Sequence, residues 1–254
     1  MPIKVPDNLP ALTELFAEQV DVMAQQQAVG QDIRPIRLLL LNLMPKKRDT
    51  EIQFARLFGN TPLQVEMILM TTASYTPRNT EPGYLRRFYR QLDDLRDQFF
   101  DALIVTGAPI ETLPFEEVSY WSELVEIMEW SRTHCFRRLG ICWGAQALLS
   151  YFFAVPKFEM AKKLFGVYQH RLQNVSGRLM HGFTDSFPMP ISRYTETRAV
   201  DVAAAGLDVL AEGDGCGVGM VRDPQSGDLF VLNHLEYDAK TLANEYHRDK
   251  EAGL

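Results

Sequence analysis

Cys142 combines a nucleophilic side chain with a sequence context that favours catalysis. It follows the apolar residues Leu139–Ile141 and stands between two glycines in Gly140-Ile141-Cys142-Trp143-Gly144. A thiol at a sharp strand-to-helix turn is accessible to substrate, and a helix N-terminus favours its thiolate form. An isolated cysteine is usually a small buried apolar residue, and we interpret Cys135 and Cys216 in this way. The glycines predict that Cys142 is a nucleophile.

A thiolate nucleophile needs a base, and the base needs a group that orients it. His234 and Glu236 follow a predicted strand at 229–233, and in extended backbone residues two apart share a face. The carboxylate can then fix the tautomer of the imidazole. The pattern H-x-E alone is also typical of an ordinary polar strand end. Together with Cys142, it predicts a Cys-His-Glu triad. The other histidines have weaker contexts: His134, His170, His181 and His247.

Metal and phosphate signatures are missing from the sequence. The cysteines and histidines do not have the spacings of a metal site, and no glycine-rich phosphate-binding pattern follows a strand. We therefore predict no metal and no cofactor. The alternating glycines from Gly213 to Gly219 instead indicate a hairpin or loop.

The elements that must position these residues alternate along the first 150 positions. Strands are predicted at 36–44, 63–69, 102–105, 139–141, 218–221 and 229–233. Helices are predicted from the capping box Thr50-x-x-Gln53 to Gly59, and at 84–100, 118–130, 145–153 and 239–250. This alternation predicts an α/β fold with an open, mostly parallel sheet flanked by helices. Ligands bind beyond the carboxyl ends of such strands, which directs attention to four segments: Pro45–Lys47, Gly107–Glu111, Cys142–Gly144 and His234–Glu236.

Composition excludes several classes of partner. The chain has 254 residues, and 26 basic against 33 acidic side chains give a net charge of −7, which argues against nucleic-acid binding. No apolar run reaches the roughly 18 residues of a membrane span, and the N-terminus lacks the apolar core of a secretory signal. Three cysteines without paired spacing fit a reducing compartment. We expect a cytoplasmic protein with no membrane partner.

Five longer motifs carry a family resemblance: Leu41–Lys46 (LNLMPK), Gly59–Gln64 (GNTPLQ), Val105–Pro109 (VTGAP), Ile141–Gln146 (ICWGAQ) and Phe165–Tyr168 (FGVY). They closely resemble the homoserine O-succinyltransferase/O-acetyltransferase family of methionine biosynthesis, and the resemblance runs from Pro2 to about Leu254. It implies a class I glutamine amidotransferase-like (flavodoxin-like) fold. We expect one acyltransferase domain over residues 1–254, with an N-terminal helical extension at about 1–34.

The resemblance also implies an activity, in which an acyl group passes from acyl-CoA, a co-substrate, to the hydroxyl of homoserine. It assigns the acyl-thioester nucleophile to Cys142, the proton acceptor to His234 and the partner of that base to Glu236. Three further residues match family substrate contacts: Lys163, Ser192 and Arg248. A guanidinium suits the carboxylate of an amino acid. Taken alone, Lys163 and Arg248 would be interpreted as solvated surface charges.

Glu111 bears on the choice of acyl group, because succinyl-specific members of the family carry a small residue there. A succinyl carboxylate about 4 Å from Glu111 would be repelled by roughly 4 kcal/mol at an effective dielectric of 20. The alternative is that Glu111 caps the next helix and faces solvent. We predict a homoserine O-acetyltransferase with a ping-pong mechanism and small-molecule substrates, and a homodimer is left open.

Four alternatives stay open. Within the family they are a serine O-acetyltransferase and a homoserine O-succinyltransferase. A glutamine amidotransferase also uses cysteine, histidine and glutamate, and a non-enzymatic binding module would leave the triad without a role.

Overall fold

The computed structural model describes residues 3–29, 34–75, 77, 79–173, 178–251 and 253. The chain divides into two compact units, Met1–Leu139 and Gly140–Leu254. The strands of the first unit are β1 (Ile3–Val5), β2 (Val22–Ala24), β3 (Ile36–Leu41), β4 (Val65–Met70), β5 (Tyr89–Arg90) and β6 (Phe100–Val105). Its helices are α1 (Ala11–Ala17), α2 (Gln25–Ala28), α3 (Lys47–Gly59), α4 (Pro82–Phe88) and α5 (Trp121–His134). Strand β7 (Cys135–Ile141) contains the boundary.

The second unit begins with the end of β7. Its helices are α6 (Trp143–Phe153), α7 (Ala199–Ala204) and α8 (Thr241–Glu251). Its strands are β8 (Phe158–Leu172), β9 (Ser186–Glu196), β10 (Asp208–Gly213), β11 (Gly217–Arg222) and β12 (Leu229–Val231).

The first unit contains a parallel sheet in the order β2-β1-β4-β3-β6, with β5 also beside β4. Strands β3 and β6 are nearly continuous apolar runs because parallel strands are covered on both faces. The core residues at their ends are fully buried: Leu39, Leu40, Leu41, Leu103, Ile104 and Val105. The predicted α/β fold with its mostly parallel sheet is confirmed.

The N-terminal segment contains strands as well as the expected helices. Strand β1 pairs with both β2 and β4, so this segment is part of the parallel sheet. Residues 1, 2 and 30–33 of the expected helical extension lie outside the described residues. The single acyltransferase domain over 1–254 stays a prediction.

Three helix predictions are wrong in their boundaries. The helix predicted at 118–130 is α5, which begins at Trp121 and ends at His134. The helix predicted at 84–100 ends at Phe88, because the next two residues pair with β4 as strand β5. Tertiary pairing here overrides a helical spacing of apolar residues. Helix α3 begins at Lys47, three residues before the predicted capping box. The hydroxyl of Thr50 donates back to the carbonyl of Lys46 (3.2 Å) instead of capping.

The second unit contains an antiparallel sheet in the order β12-β11-β10-β8-β9. Strands β11 and β12 confirm the predictions at 218–221 and 229–233 within two residues. Strands β8, β9 and β10 were not predicted from the sequence. Between β10 and β11 the chain turns through Gly215 and Gly217, both with positive φ (75° and 69°), which confirms the predicted hairpin. Within the described residues, no helix has the length and apolar character that crossing a membrane requires.

Candidate active site

Cys142 occupies the turn between β7 and α6 with φ 51° and ψ −117°, a strained conformation for a residue other than glycine. Its backbone N–H donates to the carbonyl of Val231 (2.7 Å), and its carbonyl accepts from the N–H of Gln146 (3.1 Å). A Cβ at Gly140 would lie 2.5 Å from the Cα of Ala145, so only glycine lets α6 approach the strand this closely. The strand–turn–helix arrangement expected at Cys142 is present.

The first turn of α6 follows Cys142 directly and is a favourable place for a developing negative charge. The backbone N–H of Gly144 lies in this turn, where an α-helix offers it no acceptor. The helix dipole adds partial positive charge at the same place. The N–H of Cys142 is occupied by Val231 and cannot serve this purpose.

His234 and Glu236 form a short, buried contact. Nδ1 of His234 lies 2.6 Å from Oε1 of Glu236, and the two residues are 3% and 8% exposed. The side chain of His234 also hydrogen-bonds Cys142. Strand β12 ends at Val231, so the contact forms in the irregular segment after the strand and not by strand alternation. The backbone N–H of His234 donates to the carbonyl of Pro190 (3.0 Å), which fixes this segment to β9.

Two neighbouring side chains set the protonation of His234. Burial lowers the pKa of the imidazole, but the interactions with Glu236 and Cys142 outweigh burial and raise the pKa well above 6.5. Because Nδ1 donates to Glu236, Nε2 is the nitrogen left for Cys142. The three residues can therefore hold a thiolate–imidazolium pair that is oriented by a carboxylate.

A buried arginine supports the segments that carry this cluster. Arg193 on β9 is 3% exposed and donates to the carbonyls of Thr195 (2.6 Å) and Cys216 (2.7 Å). Its Nε also lies 3.4 Å from Oδ1 of Asn233, the residue before His234. The hydroxyl of Thr195 donates to the side chain of Gln146 (2.9 Å) on α6. Sequence reasoning missed Arg193, since its partners are distant in the chain.

His170 completes this support from the other side of Asn233. Its Nδ1 donates to the carbonyl of Tyr168 (2.9 Å), so Nε2 accepts from the amide of Asn233 (2.9 Å). Burial lowers the pKa of His170, which favours this neutral form. A Cβ at Gly219 would lie 2.5 Å from the His170 ring. The glycines of the hairpin thus make room for a buried histidine, and Cys216 lies 3.4 Å from the same Nε2.

The three predicted substrate contacts lie on β8, β9 and α8. Ser192 on β9 pairs with Phe165 on β8, and the Phe165 ring lies 5.2 Å from Nζ of Lys163. Lys163 and Arg248 meet at a carboxylate that sequence reasoning missed, that of Asp249. The structure thus brings Lys163 and Arg248 together across 85 positions of the chain.

Tyr237 is a third residue that the sequence reasoning missed. Its ring stacks on the imidazole of His234 with centroids 4.0 Å apart, and its hydroxyl donates to Glu245 on α8 (2.7 Å). Burial and the Glu245 carboxylate raise the pKa of Tyr237, which keeps the hydroxyl protonated as a donor. Its position directly after His234-x-Glu236 is the one sequence signal that could have identified it.

Glu111 belongs to the first unit, in the loop between β6 and α5, and is half-buried. The same unit has a cavity of about 430 Å³ at the carboxyl ends of β3, β4 and β6, where the α/β pattern predicts a ligand. Lys47 lines this cavity at 3% exposure. Burial lowers its pKa to about 8, although Glu51 acts in the opposite direction. In the described part of the chain, no three metal-ligating side chains cluster.

Solved structures with a similar fold include two glutamine amidotransferases. One from Thermotoga maritima has a TM-score of 0.60 and 12% identity, with 87% of this chain and 84% of that chain covered. Another, from Methylobacillus flagellatus, has a TM-score of 0.55 and 11% identity, with coverages of 87% and 77%. At these identities the likeness concerns the fold alone, and it confirms the class I glutamine amidotransferase-like prediction.

Sequence relatives are much closer. A homoserine O-acetyltransferase of Thermotoga neapolitana is 50% identical over all of this chain and 84% of its own length. That of Sinorhizobium fredii is 47% identical, again over all of this chain and 83% of its own length. The profile of the homoserine O-succinyltransferase family matches residues 2–254. The chain therefore belongs to the homoserine O-succinyltransferase family of acyltransferases.

Proposed function

We propose that this protein transfers the acetyl group of acetyl-CoA to the hydroxyl of L-homoserine through an acyl-enzyme on Cys142. The observation that carries the proposal is the buried contact of His234 with both Cys142 and Glu236 at the N-terminus of α6. Relatives at 44–50% identity over the whole chain bear the name homoserine O-acetyltransferase, which supports this acyl group and this acceptor.

The first half-reaction acylates the enzyme. The thiolate of Cys142 attacks the thioester carbonyl carbon, and the N–H of Gly144 in the first turn of α6 stabilises the oxyanion together with the helix dipole. The bond between carbonyl carbon and CoA sulfur breaks, and that sulfur takes the proton from the imidazolium of His234. A thioester on Cys142 and a neutral imidazole result.

The second half-reaction returns the enzyme to its starting state. Nε2 of His234 removes the proton of the acceptor hydroxyl, whose oxygen attacks the acetyl carbonyl carbon. The carbon–sulfur bond to Cys142 breaks and regenerates the thiolate. Glu236 holds the imidazole in one tautomer throughout, because its carboxylate accepts from Nδ1 in both steps.

Lys163, Ser192 and Arg248 are proposed to bind the acceptor. Arg248 is half-exposed, so its guanidinium is accessible to an amino-acid carboxylate. Tyr237 connects the helix that carries Arg248 to His234 through the stacking contact and the hydrogen bond to Glu245. This connection supports an acceptor site beside the catalytic histidine.

The decisive experiment is intact-mass spectrometry with acetyl-CoA alone. We expect one added acetyl group on the wild type and none on Cys142→Ala, followed by its loss when homoserine is added. An unmodified wild-type protein that nevertheless turns over would contradict the acyl-enzyme. Release of ammonia from glutamine would instead favour the amidotransferase alternative.

An acceptor panel decides between homoserine and serine. A pocket separates substrates that differ by one methylene by only about 1–3 kcal/mol, so kcat/KM must be measured for both. We expect the higher value for homoserine, and a preference for serine would overturn the acceptor assignment.

The three cysteines are free, which supports a reducing, cytoplasmic setting.

Glu111 is proposed to exclude succinyl-CoA by like-charge repulsion. We expect Glu111→Gly to raise kcat/KM for succinyl-CoA by up to about a thousandfold, and by less where water screens the charges. Glu116→Gly and Glu117→Gly are matched controls on the following turn and should leave the ratio of acetyl to succinyl transfer unchanged. An unchanged ratio in Glu111→Gly would contradict this role.

A further inference from the structure

The carboxylate of Asp249 binds two cations, one on each oxygen. Oδ2 lies 2.5 Å from Nζ of Lys163, and Oδ1 accepts from Nε (2.8 Å) and Nη2 (2.6 Å) of Arg248. Burial alone would raise the pKa of Asp249, but its hydrogen bonds with Lys163 and Arg248 lower it below 3.8. The residue is thus a permanent anion between two proposed substrate contacts.

The helix that carries Asp249 is held by polar contacts and not by buried side chains. Helix α8 buries no side chain, and the side chain of Arg248 is 53% exposed. Its polar contacts with residues outside the helix include Thr241 with Asp238, Glu245 with Tyr237, and Asp249 with Lys163. Of the two ion pairs that Asp249 makes, the pair with Lys163 is the better shielded, because both of its side chains are only about 15% exposed.

This cluster offers two cations to a substrate carboxylate. Lys163 and Arg248 contribute two positive charges and Asp249 one negative charge, and the Glu245 carboxylate also attracts Arg248. Without Asp249 the two cations would repel each other, and Lys163 would lose its link to α8.

We infer that Asp249 is a positioning residue of the acceptor site, which holds Lys163 and Arg248 in the arrangement that receives the acceptor carboxylate. This inference rests on the proposed function. Asp249 acts through the two cations and does not touch the reacting atoms. Its loss should therefore impair the second half-reaction and spare the first.

The test measures the two half-reactions separately in Asp249→Asn and Asp249→Ala. We expect the rate of Cys142 acetylation by acetyl-CoA to stay within about twofold of wild type, while the KM for homoserine rises about tenfold or more. Glu251→Gln removes one negative charge from the same helix and serves as the matched control. Asp249→Glu retains the charge and should give a lower KM than Asp249→Asn.

Several outcomes would overturn the inference. An unchanged homoserine KM in a folded charge-removing variant would do so, as would an acetylation rate that falls in parallel with the second step. A Glu variant no better than the Asn variant would show that the charge is irrelevant. Either charge-removing variant suffices if the other fails to fold. Failure of the proposed function is separate, because the wild type itself would then not be acetylated.

Discussion

The proposed catalytic cluster (Cys142, His234 and Glu236) and the proposed acceptor cluster (Lys163, Arg248 and Asp249) of the second unit are built in opposite ways. Cys142, His234 and Glu236 are all at least nine-tenths buried. Asp249 and Arg248 lie on a helix that buries no side chain. The Asp249 side chain is about 15% exposed, whereas that of Arg248 is 53% exposed. Strong charges are present in both places, but only the second cluster has a charged side chain that is open to water.

This contrast follows from what each cluster has to do. Buried charges interact strongly but must be hydrogen-bonded and fixed. His234 is hydrogen-bonded to Glu236, and Arg193 and His170 bind Asn233, the residue before His234. Surface ion pairs contribute little to stability, so the acceptor cluster can exchange partners with a substrate carboxylate. The catalytic side chains are thus held in fixed positions, whereas the ion pairs of the acceptor cluster can be replaced by ion pairs with the substrate. Tyr237 is the contact that joins the two clusters.

The largest expected effect on activity is that of removing the His234 imidazole from the catalytic cluster. His234→Ala should lower kcat/KM by about 10²- to 10⁴-fold, since the proton carrier of both half-reactions is removed. Stopped-flow measurement of CoA release should show the loss in the acylation step as well as in turnover.

His247→Ala is the matched control for this variant, because His247 is an exposed histidine on α8. It should retain nearly full activity. An equal loss in both variants would contradict the assignment of the base to His234.

The next effect concerns the acceptor side. Arg248→Ala removes the charged donor on α8 and should raise the KM for homoserine by about 10- to 100-fold, while acetylation of Cys142 proceeds at the wild-type rate.

Steady-state kinetics at 50 and 300 mM salt extend the test. The wild-type KM for homoserine should rise with salt, because this cluster is exposed to screening ions. A salt-independent KM would argue against an exposed charge clamp.

The free energy of unfolding should depend on pH in opposite directions for the two clusters. The folded pKa of His234 is raised above its unfolded value of 6.5, so its stabilisation is complete below about pH 6.5 and is lost as pH rises through the folded value. The folded pKa of Asp249 is lowered, so its stabilisation is present above 3.8 and is lost as pH falls. Urea unfolding should show the advantage of wild type over His234→Gln shrinking between pH 7 and 10, by at most about 1.4 kcal/mol per pH unit. An advantage that grows with pH would contradict the raised pKa.

The smallest expected effect concerns the strained turn. Cys142→Gly should be more stable than Cys142→Ala by about 1 kcal/mol, because glycine adopts a positive φ without strain. Thermal unfolding of the two inactive variants measures the difference directly. Equal melting temperatures would mean that the turn stores no strain at this residue.

The sequence predicted those parts of the structure whose signals are local. An apolar strand and Gly140 identify the turn at Cys142 without knowledge of distant residues. The contact of His234 with Glu236 was also expected, although strand alternation was the wrong reason for it. The parallel sheet followed from apolar runs that only a strand buried on both faces would have.

The rest depends on contacts between distant segments. Arg193, His170 and Asn233 meet only because β8, β9 and the end of β12 come together. Strand β8 is largely half-exposed and contains several charged residues, so its pattern resembles a loop. The ion pair between Lys163 and Asp249 spans 86 positions, and the sequence around either residue contains no pattern that predicts it.

The unburied helix α8 has a consequence for how this family can diversify. A residue exchanged on α8 disturbs no core packing. The turn at Cys142 has no such freedom, since even a methyl group at Gly140 would collide with the backbone of Ala145. If α8 binds the acceptor as we propose, selection can alter acceptor preference on this helix without disturbing the turn that carries the nucleophile.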